Sequence, residues 1–183
     1  AEQVMAEVRR NMPFIRGVTV SGGECTLHRD FLVELARLAR SEGLNFLLDS
    51  NGSCDFSEDA ELTAAIDGVM LDVKAWDEAE HIRLTDCSNR MVLRNLRFLA
   101  QAGKLEEVRT VVVPELMSAE ETVRSVCETL CAMNAQNVRY KLIRFRPMGV
   151  RAEYRNLAVP PEALMRKLEA VAHSMGIRNT VLI

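Results

Sequence analysis

Gly17-Val18-Thr19-Val20-Ser21-Gly22-Gly23-Glu24 is the stretch from which the fold can be read. Gly17 to Val20 is a short β-branched run, and the glycine pair after it breaks any strand or helix period. A helix is expected next, from about Asp30 to Glu42, with Phe31, Leu35 and Leu38 on one face at i, i+4 and i+7. Gly43 ends it, and Leu44 to Asp49 forms a second apolar strand. Strand, polar turn, helix, strand is the unit of a parallel β/α fold.

The unit recurs along the chain. Ser57 is placed to cap a short helix through Ile66, and Gly68 to Val73 is the next strand. A helix from about Ser88 to Ala102 carries Val92, Leu96 and Leu99 and stops at Gly103. Val108 to Val113 reads as a buried strand cut by Pro114, and Ser118 with Glu121 forms a capping box ahead of another helix. Strand Val138 to Phe145 follows. Pro161 opens a helix with the stripe Leu164, Leu168, Val171 and Met175, Gly176 closes it, and Thr180 to Ile183 is a last strand. A helix from Glu2 to about Asn11 precedes the first strand. The expectation is one domain over residues 1–183, with a parallel sheet that is open or closing into a barrel.

Composition narrows the function classes. The net charge of −3 gives no basic excess for nucleic acid or an anionic membrane surface. With 48% hydrophobic and 27% charged residues, the chain has a real core and is neither disordered nor a disulfide-stapled mini-protein. No run reaches the ~18 apolar residues of a membrane span, and the charged first residues do not read as a signal peptide. The five cysteines are odd in number and scattered, as in a reduced compartment, so a cytoplasmic protein is expected.

The unusual polar residues all fall just after strands. They are Ser21 to Glu24, Asp49-Ser50-Asn51-Gly52, Asp72-Val73-Lys74, Pro114-Glu115, and Arg144 with Arg146. In parallel α/β folds the carboxyl ends of the strands form the ligand face. Gly22 and Gly23 let a ligand approach the backbone, and Glu24 can face an ammonium group; a tight turn with a solvated Glu is the alternative. Asp49 and Asp72 end successive strands and repel each other unless a cation lies between them. Lys74, two residues beyond Asp72, lies on the same face as it. The alternative is that the two aspartates are turn formers with no common ligand. Cys127 and Cys131 fall on the apolar stripe of a helix and read as core residues, since no third cysteine follows at a cluster spacing. Cys25 stands beside Glu24, whose charge raises a thiol pKa. His28, His81 and His173 make no ligand pattern.

Ser-Gly-Gly-Glu, Asp-Ser-Asn-Gly, Asp-Val-Lys and Arg109-Thr-Val-Val-Val-Pro114, in this order, resemble the radical S-adenosylmethionine enzymes, and among them the glycyl-radical-enzyme activating proteins of the pyruvate formate-lyase activating type. The resemblance runs from about Val4 to the end. It implies a partial (β/α)6 TIM-like barrel and a [4Fe-4S] cluster that cleaves S-adenosylmethionine reductively. The resulting 5′-deoxyadenosyl radical takes hydrogen from a glycine of a partner glycyl radical enzyme, with flavodoxin or ferredoxin as electron donor. By the same resemblance Gly22, Gly23 and Glu24 hold the methionine amino group. Asp49, Ser50, Asp72 and the carbonyl of Met70 form a monovalent-cation site. Lys74 reaches the carboxylate and ribose, and Arg109 lies in the active-site barrel. Ser50 stands where the family usually has Thr, and Arg146 where a His usually helps to position the nucleoside.

The family's Cys-x-x-x-Cys-x-x-Cys does not occur in this sequence. The expectation is therefore a fragment lacking the first barrel strand and its cluster loop, inert alone, with an exposed edge along Val18 to Val20 that promotes self-association or leaves the N-terminal helix disordered. A radical S-adenosylmethionine enzyme of another reaction class is the second reading. A cluster-free β/α module that binds a nucleotide or a partner protein is the third, and a β/α sugar-phosphate enzyme, for which no phosphate loop is evident, the fourth.

Overall fold

A computed structural model describes residues 1–183. Six strands form one sheet: β1 (Gly17–Val20), β2 (Asn45–Ser50), β3 (Gly68–Asp72), β4 (Leu105–Val112), β5 (Arg139–Arg144) and β6 (Thr180–Leu182). All neighbours are parallel and their order follows the chain, β1-β2-β3-β4-β5-β6. The connecting segments carry the helices α1 (Glu2–Arg10), α2 (Arg29–Ser41), α3 (Ala60–Ala65), α4 (Glu78–Thr85), α5 (Arg90–Gln101), α6 (Ala119–Ala132) and α7 (Glu162–Ser174). The sheet is not closed, so the expected partial barrel is what forms. Strand β1 pairs only with β2 and β6 only with β5.

Alternation along the strands sorts the two faces of the sheet. Phe46, Leu48, Val108, Thr110, Val112, Tyr140 and Leu142 are buried on one face under the helices. Leu47, Asp49, Arg109, Val111, Lys141 and Ile143 alternate with them and are only half-buried. That second, concave face is where polar side chains can meet a ligand.

Several local expectations are corrected. The buried stripe of α2 is Leu32, Leu35, Ala36 and Ala39, while Phe31 is 37% exposed. Small alanines let this helix approach its neighbours, and a count of large apolar residues passes over them. Asp59, not Ser57, caps α3, its Oδ1 accepting from the Leu62 N–H at 2.9 Å. Ser57 is held instead by Asp55, 2.6 Å away. The capping box at Ser118 does not form, because the Ser118 hydroxyl and N–H both donate to Glu80 at 2.7 and 2.8 Å. Helix α4 is an addition, capped by Asp77. Helix α1 packs against α2, with Met5 fully buried and Arg9 donating to Glu42 at 2.8 Å. No helix is long and apolar enough to cross a membrane.

Candidate functional site

The carboxyl ends of β1 and β2 meet around Glu24. One carboxylate oxygen accepts from the Thr26 N–H at 3.1 Å, the Thr26 hydroxyl at 2.6 Å and the Ser50 hydroxyl at 2.9 Å. The other accepts from the Asn51 N–H at 2.7 Å. Ser50 is buried, and its Oγ accepts from the Gly52 N–H at 3.0 Å. Glu24 thus ties the turn after β1 to the turn after β2. All its partners are neutral, and no Lys, Arg or His pairs with it in the ion-pair network. Its position is fixed while no neighbouring cation neutralises its charge.

Two glycines matter here for different reasons. Gly22 has φ +149°, where only glycine is unstrained, and a Cβ added there or at Gly23 would meet nothing within 4 Å. The backbone next to Glu24 is therefore open to a ligand. Gly52 has φ +74°, and a Cβ there would fall 2.7 Å from Leu71 Cδ1. Space as well as conformation requires glycine at this turn.

Helix α5 holds the turns in place through asparagines. Asn95 is fully buried, donates to the Gly52 and Cys54 carbonyls at 2.9 and 2.6 Å, and accepts from the Phe56 N–H at 3.1 Å. Asn89 donates to the Ala75 and Trp76 carbonyls at 3.2 and 2.6 Å, beyond β3. Thr110 donates to the Val73 carbonyl at 2.9 Å from beneath. A buried amide that satisfies three backbone groups fixes a loop more firmly than solvent can.

The two aspartates do come together with cations, though not with a shared one. Lys74 donates to Asp72 at 2.7 Å, on the same face as expected. Arg109 donates to Asp49 at 2.7 Å, and another guanidinium nitrogen lies 3.0 Å from Met70 Sδ. The registers Asp49↔Met70 and Asp72↔Arg109 make these meetings possible. Arg109 also pairs with Glu107, whose side chain is fully buried. Lys141 and Arg139 reach the same carboxylate at 2.8 and 3.2 Å. Burial pushes the Glu107 carboxyl upward, but hydrogen bonds from Lys141 and Arg109 outweigh it and leave the group below the ordinary glutamate range. The guanidinium of Arg109 loses hydration on burial, but Glu107 and Asp49 more than offset that loss and stabilise its charge.

The remaining expected residues fall elsewhere or serve the core. The Ser50 hydroxyl is turned to Glu24, and Met70 is buried. Arg144 pairs with Glu162 of α7. Arg146 lines a cavity of about 410 Å³ with Val111, Ile143, Phe145, Val150 and Ile183, none of which belongs to the Glu24–Lys74 group. Burial first, and Glu24 second, push the Cys25 thiol up to about 11. Burial likewise pushes Cys127 up to about 12, and Cys131 donates to the Met175 carbonyl. No three Cys, His, Asp or Glu side chains are grouped so as to hold a metal ion. The cysteines of this chain therefore do not fit a [4Fe-4S] cluster. Arg109 and Lys74 each engage one oxygen of their aspartate, so a monovalent cation at Asp49 and Asp72 would be held by the other oxygens beside these two positive charges.

Sequence reasoning passed over Glu107, Arg139, Lys141, Asn89 and Asn95. A signal existed for the first three. Glu107 and Arg109 alternate on one face of a strand, and Arg139 and Lys141 do the same on the next. Nothing in the sequence marks the asparagines, which act through backbone groups far along the chain.

The profile of the radical SAM superfamily matches residues 1–126. A Haemophilus influenzae protein named for glycyl-radical enzyme activation is 34% identical over the whole chain, which covers 76% of that protein. The pyruvate formate-lyase-activating enzyme of Streptococcus mutans is 33% identical over 79% of the chain, and the indoleacetate decarboxylase activating enzyme of Tractidigestivibacter scatoligenes 27% over 97%. The chain spans only 56% and 59% of those two proteins. Among solved structures, a domain of the pyruvate-formate lyase-activating enzyme of Bacteroides vulgatus superposes with a TM-score of 0.77 at 20% identity, covering 91% of this chain and 98% of that one. Streptococcus suis SuiB bound to its precursor peptide SuiA superposes with a TM-score of 0.74 at 12% identity, covering all of this chain and 41% of SuiB. At these identities the structures speak for the fold alone.

Proposed function

The chain belongs to the radical SAM superfamily, and on that footing we propose that it is the S-adenosylmethionine-binding core of a cytoplasmic enzyme that activates a glycyl radical enzyme. The observation that carries the proposal is Glu24, a carboxylate fixed by four neutral hydrogen bonds and left without a cation. An ammonium group is the natural complement of such a charge, and the open backbone at Gly22 and Gly23 leaves room for one beside it. In this reading Gly22, Gly23 and Glu24 take the methionine amino group. Lys74 keeps one N–H on Asp72 and offers the others to the carboxylate or the ribose. Asp49, Ser50, Asp72 and the Met70 carbonyl stand at the place of a monovalent cation, and Arg109 supplies positive charge at Asp49. Arg146 is assigned to the nucleoside end.

When bound, S-adenosylmethionine supplies this family's hydrogen-abstracting 5′-deoxyadenosyl group, and the target proposed here is a backbone glycine of the partner. The [4Fe-4S] ligands of this reading lie outside the 183 residues, the electron donor is a flavodoxin or ferredoxin, and the chain alone is inert. The unpaired edge of β1 is where a further strand, or a second copy, would add.

The test is anaerobic reconstitution of the polypeptide that joins this chain to its cluster ligands, with S-adenosylmethionine, a reductant and a candidate partner. A glycyl-radical EPR signal on the partner, with matching 5′-deoxyadenosine, is the expected result. 5′-Deoxyadenosine without a partner radical, across glycyl radical enzymes encoded nearby, moves the protein to another reaction class. No 5′-deoxyadenosine at all overturns the proposal.

A further inference from the structure

The turns after β2 and β3 and the junction of α4 with α5 enclose a cavity of about 220 Å³. His81 is buried, only 4% exposed, and lines it. The Nδ1 of His81 lies 2.9 Å from the Cys87 carbonyl. A carbonyl only accepts, so Nδ1 carries the proton and Nε2 presents a lone pair; the tautomer is assigned from this network. Nε2 makes no hydrogen bond within the protein, yet no buried side-chain nitrogen or oxygen is sealed off without a partner. The nitrogen is therefore not sealed off, and the ring that carries it lines the cavity.

The other free groups on the wall are donors. Lys74 spends one N–H on Asp72 and has two left. The Oδ1 of Asn51 accepts from the Ser53 N–H at 2.9 Å, which leaves the Asn51 NH₂ and the Ser53 hydroxyl, both on exposed residues at the mouth, free for a ligand. Thr85 and Ser88 are already committed, Thr85 to the His81 carbonyl and Ser88 to Glu78. Val92 supplies an apolar side. The wall thus presents an ammonium, an amide NH₂ and a hydroxyl together with the imidazole acceptor of His81.

A matching ligand is rich in acceptors and has one donor. A carboxylate answers the Lys74, Asn51 and Ser53 groups, and one O–H or N–H on the adjacent carbon answers Nε2 of His81. A hydroxyl supplies that donor without adding a second cation to a wall that already carries Lys74. We propose that this cavity is a binding site for a small α-hydroxycarboxylate, with its carboxylate on Lys74, Asn51 and Ser53 and its hydroxyl donating to His81. Because Lys74 is shared with the S-adenosylmethionine face, an occupant here draws the ammonium away from that face.

The chain has three histidines, so the Nε2 resonance of His81 can be followed by ¹⁵N NMR beside those of His28 and His173 as internal controls. Glycolate is the probe, at about pH 8, where an ordinary imidazole is neutral. Acetate lacks the hydroxyl, and glycine carries an ammonium in its place. Glycolate should move the His81 resonance saturably and leave the other two unmoved, with acetate and glycine each about tenfold weaker, the worth of one good hydrogen bond. Ser53→Ala should weaken glycolate by a similar factor, and His81→Asn should abolish its advantage over acetate. His81 also holds the Cys87 turn, so Ser53→Ala decides the matter if His81→Asn does not fold. Absence of saturation, acetate binding as well as glycolate, or an unaltered response in Ser53→Ala would overturn the proposal. None of these probes involves S-adenosylmethionine or a cluster, so their failure leaves the radical S-adenosylmethionine reading standing.

Discussion

Glu24 and Glu107 are both held by several hydrogen bonds, in opposite ways. Glu24 lies in a turn beyond β1 and takes four hydrogen bonds from neutral groups. Glu107 lies within β4, fully buried, and takes its bonds from Arg109, Arg139 and Lys141. Neutral donors fix a carboxylate without cancelling its field, whereas cations cancel it. The first arrangement keeps a charge ready for a ligand. The second uses one to anchor long side chains, among them the Arg109 that reaches Asp49. Under the proposed function, recognition falls to the β1–β3 half of the sheet and scaffolding to the β4–β5 half.

The sharpest way to break this comparison is Glu107→Ala. It leaves three cations around an empty site and should destabilise the fold by about 3–5 kcal/mol, the usual result of removing one partner of a buried ion network. Arg139 is 43% exposed and can turn to water, so the low end of that range is expected. Urea unfolding reads it, and a loss under about 1 kcal/mol would show that the cations are satisfied elsewhere. Next in size is Asn95→Ala, which strands the Gly52 and Cys54 carbonyls and the Phe56 N–H. It should cost about 2–3 kcal/mol, since each buried group left unpaired carries a penalty of its own. Amide exchange should quicken at Phe56 and in the turn from Asn51 to Cys54 before it quickens elsewhere.

The same contrast explains what the sequence discloses. Apart from α4, the helices and strands followed from apolar runs and glycine stops, and the order of the strands with them. Glu24, Asp49, Asp72 and Lys74 were legible because they stand at or just beyond the carboxyl ends of strands, where no packing reason calls for a charge. Glu107 was hidden inside a strand, since its meaning depends on the β4–β5 register that brings Arg139 and Lys141 beside it. Asn89 and Asn95 look like surface residues of an amphipathic helix until the turns they clasp are in place. The cap at Asp59 was missed because Ser57, an equally good candidate by type, is drawn off by Asp55. Local rules rank possible partners, and tertiary contacts choose among them.

Glu24→Gln sharpens the comparison on its other side. The amide keeps the length and one acceptor oxygen, so stability should fall by only about 1 kcal/mol. Under the proposed function the affinity for S-adenosylmethionine in the reconstituted enzyme should fall about tenfold or more, because a charge-assisted bond to an ammonium becomes a neutral one. A large stability loss with unchanged affinity would make Glu24 a structural tie and shift ammonium recognition elsewhere.

The smallest effect is expected in the acid limb of stability. The Glu107 carboxyl lies below its ordinary value of 4.5 because Lys141 and Arg109 outweigh the effect of burial. A group depressed in the folded state contributes stability above its unfolded pKa and loses it as pH falls through the folded value. Wild-type stability should therefore contain a component that is constant at neutral pH and fades below about 4.5. Glu107→Gln cannot titrate, so its deficit relative to wild type should be level at neutral pH and narrow on acidification. The other carboxylates that pair with arginines, such as Asp59 with Arg29, titrate in both proteins and cancel in the difference. Urea midpoints for the two proteins, taken from about pH 6 to pH 3, measure that difference directly. A deficit that stays constant to the bottom of the range would mean that Glu107 is held by shape and not by the charges around it.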